Sequence, residues 1–240
     1  MKAVILAAGV GSRLRPLTDT CPKPMLPIAG RPLLARTLDW LRASGVAEAA
    51  LNLHHLPDVV RAGLGDGGTW GMTLRYSYEH ELLGSAGALR TIAQRFPGWL
   101  DQTFALIYGD MLCDIDLAEL LAAHQSAHAI LTLALKHTAT PRTQGMIELD
   151  STSRVRRFVE KPAEWSGGNL ANAGVYLCEP AILNAIPAGF SDFGHDIIPA
   201  LLAAGATVGG HLATGYLLDI GTPDAYAQAQ RDWQSRHTDA

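Results

Sequence analysis

Apolar residues in this chain come in short runs divided by small and turn-forming residues. The first run, Val4-Ile5-Leu6-Ala7-Ala8, does not alternate with polar positions, which predicts a strand buried on both faces, as in a parallel sheet. Further runs predict strands over 49–53, 73–78, 103–108 and 129–135. Between them apolar residues recur at helical spacing over 32–44 (Leu33, Leu34, Leu38, Leu41), and Gly45 suits the position just past that helix. Segments 57–64, 86–95 and 117–127 also read as helices, the first of them with proline in its opening turn. This alternation argues for a doubly wound, mostly parallel sheet. Right-handed crossovers then gather the loops at the strand C-termini along one edge, where ligands bind.

The pattern changes in the second half. Segments 146–149 and 154–159 read as a hairpin closed through Asp150 and Ser151. Strands follow over 171–177, 207–211 and 216–220, and helices over 193–204 and 222–236. The last helix has Thr222 as its N-cap and Pro223 at its first position. There is no linker, low-complexity stretch or tandem repeat. The expectation is an α/β, Rossmann-like single domain over 1–240 with a doubly wound, mostly parallel mixed sheet, of a size that buries a substantial core.

Charge narrows the function. A net charge of −4 leaves no broad basic face for nucleic acid. No apolar run reaches membrane length. The start runs straight into a strand without a signal-peptide pattern. Cys21, Cys113 and Cys178 have no metal-like spacing, so three reduced thiols in a cytoplasmic protein are expected.

The first strand empties into Gly9-Val10-Gly11-Ser12-Arg13-Leu14-Arg15, and Pro22-Lys23-Pro24 follows. Glycines let backbone approach a ligand closely, and successive N–H groups there can form an anion nest. Proline on both sides stiffens Lys23. Small residues plus positioned cations suit a polyphosphate. The glycines alone carry little: Leu14 stands where a dinucleotide fingerprint needs a third glycine, and no Gly-Lys-Ser/Thr closes a P-loop. Asp110 ends a strongly apolar strand (Phe104-Ala105-Leu106-Ile107-Tyr108), and Asp219 ends another. Either alone reads as a helix cap. As a pair beside a polyphosphate loop they form a plausible Mg²⁺ site, with phosphate oxygens and water completing the shell. Leu83-Gly84-Ser85-Ala86-Gly87 is a second small-residue turn, suited to tight helix packing or to a slot for a flat base. Asn52, His54 and His55 read as crevice lining or as a helix entry, since adjacent side chains diverge and cannot share an ion; no specific role is assigned to His54, His55, His80 or Glu81.

From Leu6 to Pro27 the string resembles, nearly residue for residue, the signature of the sugar-1-phosphate nucleotidyltransferases, closest in texture to the mannose-1-phosphate and heptose-1-phosphate guanylyltransferases. The resemblance implies nucleotide contacts from Leu6, Ala8, Gly9, Gly11, Ser12, Arg13 and Lys23, and base contacts from Gly84, Ser85, Ala86 and Gly87. It implies metal ligation by Asp110 and Asp219, and a sugar-phosphate clamp of Gly145, Glu160, Lys161, Asn172 and Gly174. Arg13, Lys23 and Asp110 become the expected catalytic groups. The nucleotide part would cover about 1–135 and the sugar part about 136–240. One departure is Leu217, where relatives often carry an aromatic. No hexapeptide β-helix pattern is present, so a catalytic core without that extension is expected, with a monomer and a modest dimer both compatible.

The implied reaction is transfer of a nucleoside monophosphate from an NTP, leaning to GTP, onto a mannose- or heptose-type sugar 1-phosphate. A uridylyl or thymidylyl transferase acting on a glucose or muramate phosphate is the near alternative, and a cytidylyltransferase of an alcohol phosphate is more distant. A catalytically silent nucleotide-sugar-binding regulator is the reading of another class. Such relatives usually lose one of the charged residues that Arg13, Lys23, Asp110 and Asp219 supply here.

Overall fold

The computed structural model describes residues 1–236. In chain order its strands and helices are β1 (Lys2–Leu6), β2 (Pro27–Ile28), β3 (Arg31–Pro32), α1 (Leu33–Ala43), β4 (Glu48–Leu53), α2 (Pro57–Leu64), β5 (Thr73–Tyr78), α3 (Gly84–Arg95), β6 (Phe104–Tyr108), β7 (Met111–Cys113), α4 (Leu117–Ala127), β8 (Leu131–His137), β9 (Gly145–Leu149), β10 (Val155–Glu160), β11 (Leu170–Cys178), α5 (Ile198–Ala203), β12 (Val208–Leu212), β13 (Leu217–Asp219) and α6 (Pro223–Arg236). Contacts group into two compact units. The first holds residues 3–81, 107–115 and 215 onward; the second holds 1–2, 82–106 and 116–214. Among the described residues no helix is long and apolar enough to cross a membrane.

In the first unit the strand order is β1-β4-β5. β4 and β5 are parallel, in register from Glu48 opposite Thr73 to Leu53 opposite Tyr78. Residues Ala49 to Leu53 are buried on both faces, as the unalternating pattern requires. α1 buries Leu33, Leu34, Leu38 and Leu41 completely. α6 contributes Ala229 and Trp233 to one apolar cluster with Ile28, Leu33, Leu112 and Ile220. The Arg36 guanidinium covers the Trp233 ring at 5.2 Å. Two short antiparallel ribbons complete this unit, β2 with β3 and β7 with β13.

In the second unit the order is β10-β9-β11, with β8 pairing both β11 and β12. β12 runs parallel to β8, whereas β8–β11, β9–β11 and β9–β10 are antiparallel. The sheet is therefore mixed, with its antiparallel share concentrated here. The five residues 150–154 join β9 to β10 as a hairpin, and such a short connection can join only antiparallel strands. Asp150 Oδ1 organises that turn, accepting from Thr152 N, Thr152 Oγ1 and Arg154 N at 2.7–3.0 Å.

Two local differences from the sequence reading stand out. β7 and the β2–β3 ribbon, strands of two or three residues, are too short to show a period. The helix expected over 193–204 is divided: Phe193–Ile197 forms one wide turn, with Ile197 N donating to Asp192 O at 3.1 Å, and α5 follows. Pro199, which has no N–H to give, sits in the first turn of α5.

Candidate active site

The loop after β1 belongs to the first unit. Ala7 N donates to the buried Asn52 side chain at 2.7 Å, and Asn52 Nδ2 donates to the buried Glu79 carboxylate at 2.8 Å. Neighbouring parts of the loop are tied down as well. Gly11 adopts a left-handed conformation (φ 68°), and its carbonyl accepts from Leu14 N and Thr18 Oγ1, both at 2.9 Å. A Cβ on Gly11 would stand 2.9 Å from both Lys23 Cβ and Thr18 Cγ2, so only glycine fits. His55 Nε2 pairs with Thr18 O at 2.8 Å and His54 Nδ1 with Glu79 O at 2.9 Å. The two histidines thus act as separate struts on neighbouring backbone. The backbone N–H groups of Ala8, Gly9, Val10 and Gly11 donate to no acceptor among the described residues. A firmly held loop with four free donors in a row is an anion nest.

Lys23 lies in a single turn capped by Pro22, with Met25 N donating to Pro22 O at 2.7 Å. It is 7% exposed. Its Nζ donates to Asp110 Oδ2 at 2.7 Å and reaches Asp219 Oδ1 at 3.5 Å. The β7–β13 ribbon brings the two carboxylates together. Asp219 faces Met111 across it, and Ile220 N donates to Asp110 O at 3.1 Å. Gly221 N donates to Asp219 Oδ1 at 2.7 Å. A Cβ on Gly221 would come within 2.8 Å of Arg13 Nη2 and 2.9 Å of Asp219 Oδ1, which places the exposed Arg13 guanidinium beside the same carboxylate. Burial, and then the charge of Asp110, push the Asp219 carboxyl above its ordinary range, against the pull of Lys23.

These residues suit a magnesium ion. Among the described residues no group of three or more His, Cys, Asp or Glu is disposed to enclose a metal. Two hard carboxylates that already converge on one cation, with one of them made costly to ionise by the other, are what an ion held mainly by substrate phosphates and water requires. Asp110, Asp219, Lys23, Arg13 and the free N–H groups therefore share one locality of the first unit.

The other expected residues lie in the second unit. α3 opens at Gly84, and the Ser85 hydroxyl is engaged: it donates to Asp192 Oδ2 at 2.6 Å and accepts from Phe193 N at 2.8 Å. Gly145 and Glu160 face each other across β9 and β10. Lys161 follows with φ 44°, a left-handed conformation unusual for a side-chain-bearing residue, and its Nζ pairs with Glu160 Oε1 at 3.1 Å. Asn172 sits at an irregularity in β11. Its Nδ2 donates to Tyr176 Oη at 2.5 Å and its Oδ1 accepts from Gly174 N at 3.0 Å. Sequence reasoning missed Glu79, Asp192 and Gly221, and read Asn52 as crevice lining or a helix entry without its bond to the loop. Only Asp192 had a local signal, an acidic residue ahead of a helical segment.

A family model described as nucleotidyl transferase matches residues 2–236. The chain is 36% identical over 233 residues to a mannose-1-phosphate guanylyltransferase from Mycobacterium tuberculosis, covering 96% of this chain and 64% of that protein. It is 35% identical over 249 residues to a UTP–glucose-1-phosphate uridylyltransferase from Synechocystis sp., covering 98% of this chain and 64% of that protein. The chain thus spans a little under two thirds of the length of these curated relatives. Among solved structures, HddC from Yersinia pseudotuberculosis complexed with GMP-PN superposes with a TM-score of 0.81 at 25% identity, covering 97% of this chain and 99% of that one. An open N–H loop, a clamped lysine and two converging carboxylates accompany a match over nearly the whole chain, and the chain belongs to the nucleotidyl transferase family.

Proposed function

We propose that this protein transfers a nucleoside monophosphate from an NTP to a sugar 1-phosphate and releases pyrophosphate, with GTP as the donor and a mannose- or heptose-type sugar phosphate as the acceptor. The observation that carries the reading is Lys23 Nζ held against Asp110 at 2.7 Å and near Asp219 in the unit that also presents the free N–H groups of 8–11. The free N–H groups and Arg13 bind the β- and γ-phosphates. Lys23 neutralises charge growing on the α-phosphoryl oxygens. A phosphate oxygen of the sugar 1-phosphate forms the new bond to the α-phosphorus as the bond to the bridging oxygen breaks, and that oxygen leaves with pyrophosphate. No general base is needed, because the attacking phosphate is already anionic. Positioning and charge neutralisation supply the rate. Mg²⁺ held by Asp110 and Asp219 would supply Lewis-acid stabilisation of the phosphate oxygens. Gly84 to Gly87 serve the base. Gly145, Glu160, Lys161, Asn172 and Gly174 serve the sugar phosphate, with Glu160 accepting from hydroxyls and Lys161 pairing with the phosphate.

The guanylyltransferase relative favours GTP and a mannose-type acceptor, whereas the uridylyltransferase relative, at nearly the same identity, supports UTP with a glucose-type acceptor as the second reading. Three free cysteines fit a cytoplasmic setting. The test is pyrophosphate release with Mg²⁺ across GTP, UTP, dTTP, CTP and ATP, crossed with a panel of sugar 1-phosphates. Turnover greatest with GTP and a mannose or heptose phosphate is expected. Preference for UTP or dTTP selects the second reading. No release with any pair, from a protein that still binds nucleotide, defeats the enzymatic proposal.

A further inference from the structure

Asp192 carries more bonds than a cap requires. Its Oδ1 accepts from Gly194 N at 2.8 Å and His195 N at 3.2 Å, which closes the wide turn Phe193–Ile197 in the ordinary manner of an N-cap. Its Oδ2 is taken by Ser85 Oγ at 2.6 Å, a residue 107 positions earlier, and the same Oγ accepts from Phe193 N at 2.8 Å. Backbone bonds reinforce the junction: Ser191 N donates to Leu83 O at 2.9 Å, and Ser191 O accepts from Ala86 N at 3.0 Å and Gly87 N at 3.1 Å. The turn at 83–87 and the turn at 191–194 are therefore bonded directly to one another by side chain and backbone.

The far side of that junction touches the residues assigned to the sugar phosphate, by two routes. A Cβ on Gly194 would stand 2.7 Å from Glu160 Oε2, and a Cβ on Gly145 would stand 2.7 Å from the same oxygen. Glu160 Oε2 is thus slotted between two bare backbones, one of them held by the Asp192 cap. Its other oxygen pairs with Lys161. By the second route the Phe193 ring packs on the buried Tyr176 ring at 5.6 Å between centroids, and Tyr176 Oη accepts from Asn172 Nδ2.

We infer that Asp192, through Ser85 on one side and the Phe193–Gly194 backbone on the other, is a positioning residue that ties the base-recognition turn to the sugar-phosphate clamp, so that the placement of Glu160 and Asn172 depends on the seating of the turn at Ser85. This rests on the proposed transferase reading and adds to it a positioning residue, Asp192, outside the expected site residues. Ser85 acts on the sugar side although it lies in the segment assigned to the nucleotide.

The test is steady-state kinetics of Ser85→Ala, Ser85→Thr, Asp192→Asn and the Ser85→Ala/Asp192→Asn pair, with each substrate varied in turn and a thermal melt for each protein. Loss of one buried-side hydrogen bond predicts a rise of about tenfold in the sugar-phosphate KM for Ser85→Ala, larger than its effect on kcat. Ser85→Thr keeps the hydroxyl and is expected to rescue that KM. The double variant is expected to be no worse than Asp192→Asn within about twofold, since both break one link. A merely structural role would lower the melting temperature and the active fraction and leave the sugar KM in place. An active wild type whose folded Ser85→Ala keeps the sugar KM overturns the inference alone. A wild type that turns over no substrate pair overturns the transferase reading, and the inference with it.

Discussion

Two glycines two residues apart in one motif should differ in their effect on stability when each receives the same methyl group. At Gly11 the backbone is left-handed, and an added Cβ meets Lys23 Cβ and Thr18 Cγ2 at 2.9 Å each. The left-handed conformation costs an L-residue about 1–2 kcal/mol. Forcing a methyl into packed side chains costs about 1–3 kcal/mol more. Gly11→Ala is therefore expected to destabilise the protein by about 2–5 kcal/mol, and to lower pyrophosphate release because a displaced neighbour is Lys23. At Gly9 there is nothing within 4 Å of an added Cβ and no left-handed backbone. Gly9→Ala is expected to change stability by less than about 0.5 kcal/mol. Its activity is expected to fall all the same under the proposed mechanism, because the methyl would stand beside the free N–H groups assigned there to the phosphates. Urea unfolding at constant m-value reads the first quantity and pyrophosphate release the second. The reasoning is refuted if Gly11→Ala unfolds at the wild-type midpoint, or if Gly9→Ala loses as much stability as Gly11→Ala.

Three further outcomes follow from the same geometry. Lys23→Ala should lower kcat on the order of 10²-fold, comparable to removal of one strong transition-state donor, and a near-unchanged kcat would remove Lys23 from its role. The raised carboxyl of Asp219 means the folded chain holds more protons than the unfolded chain once the pH passes the ordinary value of 3.8. Stability from this group is therefore full below that pH and declines as pH rises through the raised value; Asp219→Asn should flatten the trend in urea midpoints between acid and neutral pH, and an identical slope would refute it. Burial, first, and then Asp114 or Glu179 push the Cys113 and Cys178 thiols far up, so neither should react with iodoacetamide until denaturant is added, whereas the half-buried Cys21 should label first; rapid native labelling of Cys178 would contradict its burial.

Much of this was legible in the residues themselves. The unalternating apolar run at 4–8 and the helical spacing at 32–44 gave β1 and α1, because local periodicity reports which faces are buried. The string from Leu6 to Pro27 gave the family, since its cations and glycines are contiguous in the chain. The convergence of Asp110 and Asp219 was inferable only as an analogy. What brings them together is the pairing of β7 with β13, a three-residue ribbon with no period of its own and a separation of more than a hundred residues.

The sequence by itself determined the type of most elements, the glycine turn after β1 and the cations Arg13 and Lys23 beside it, because each depends on neighbours close in the chain. Tertiary structure decided which glycine is obligatory, that His54 and His55 brace backbone, and that the Ser85 hydroxyl is spent on Asp192. Those outcomes depend on which atom stands a few ångströms away in space, and chain order does not state that distance.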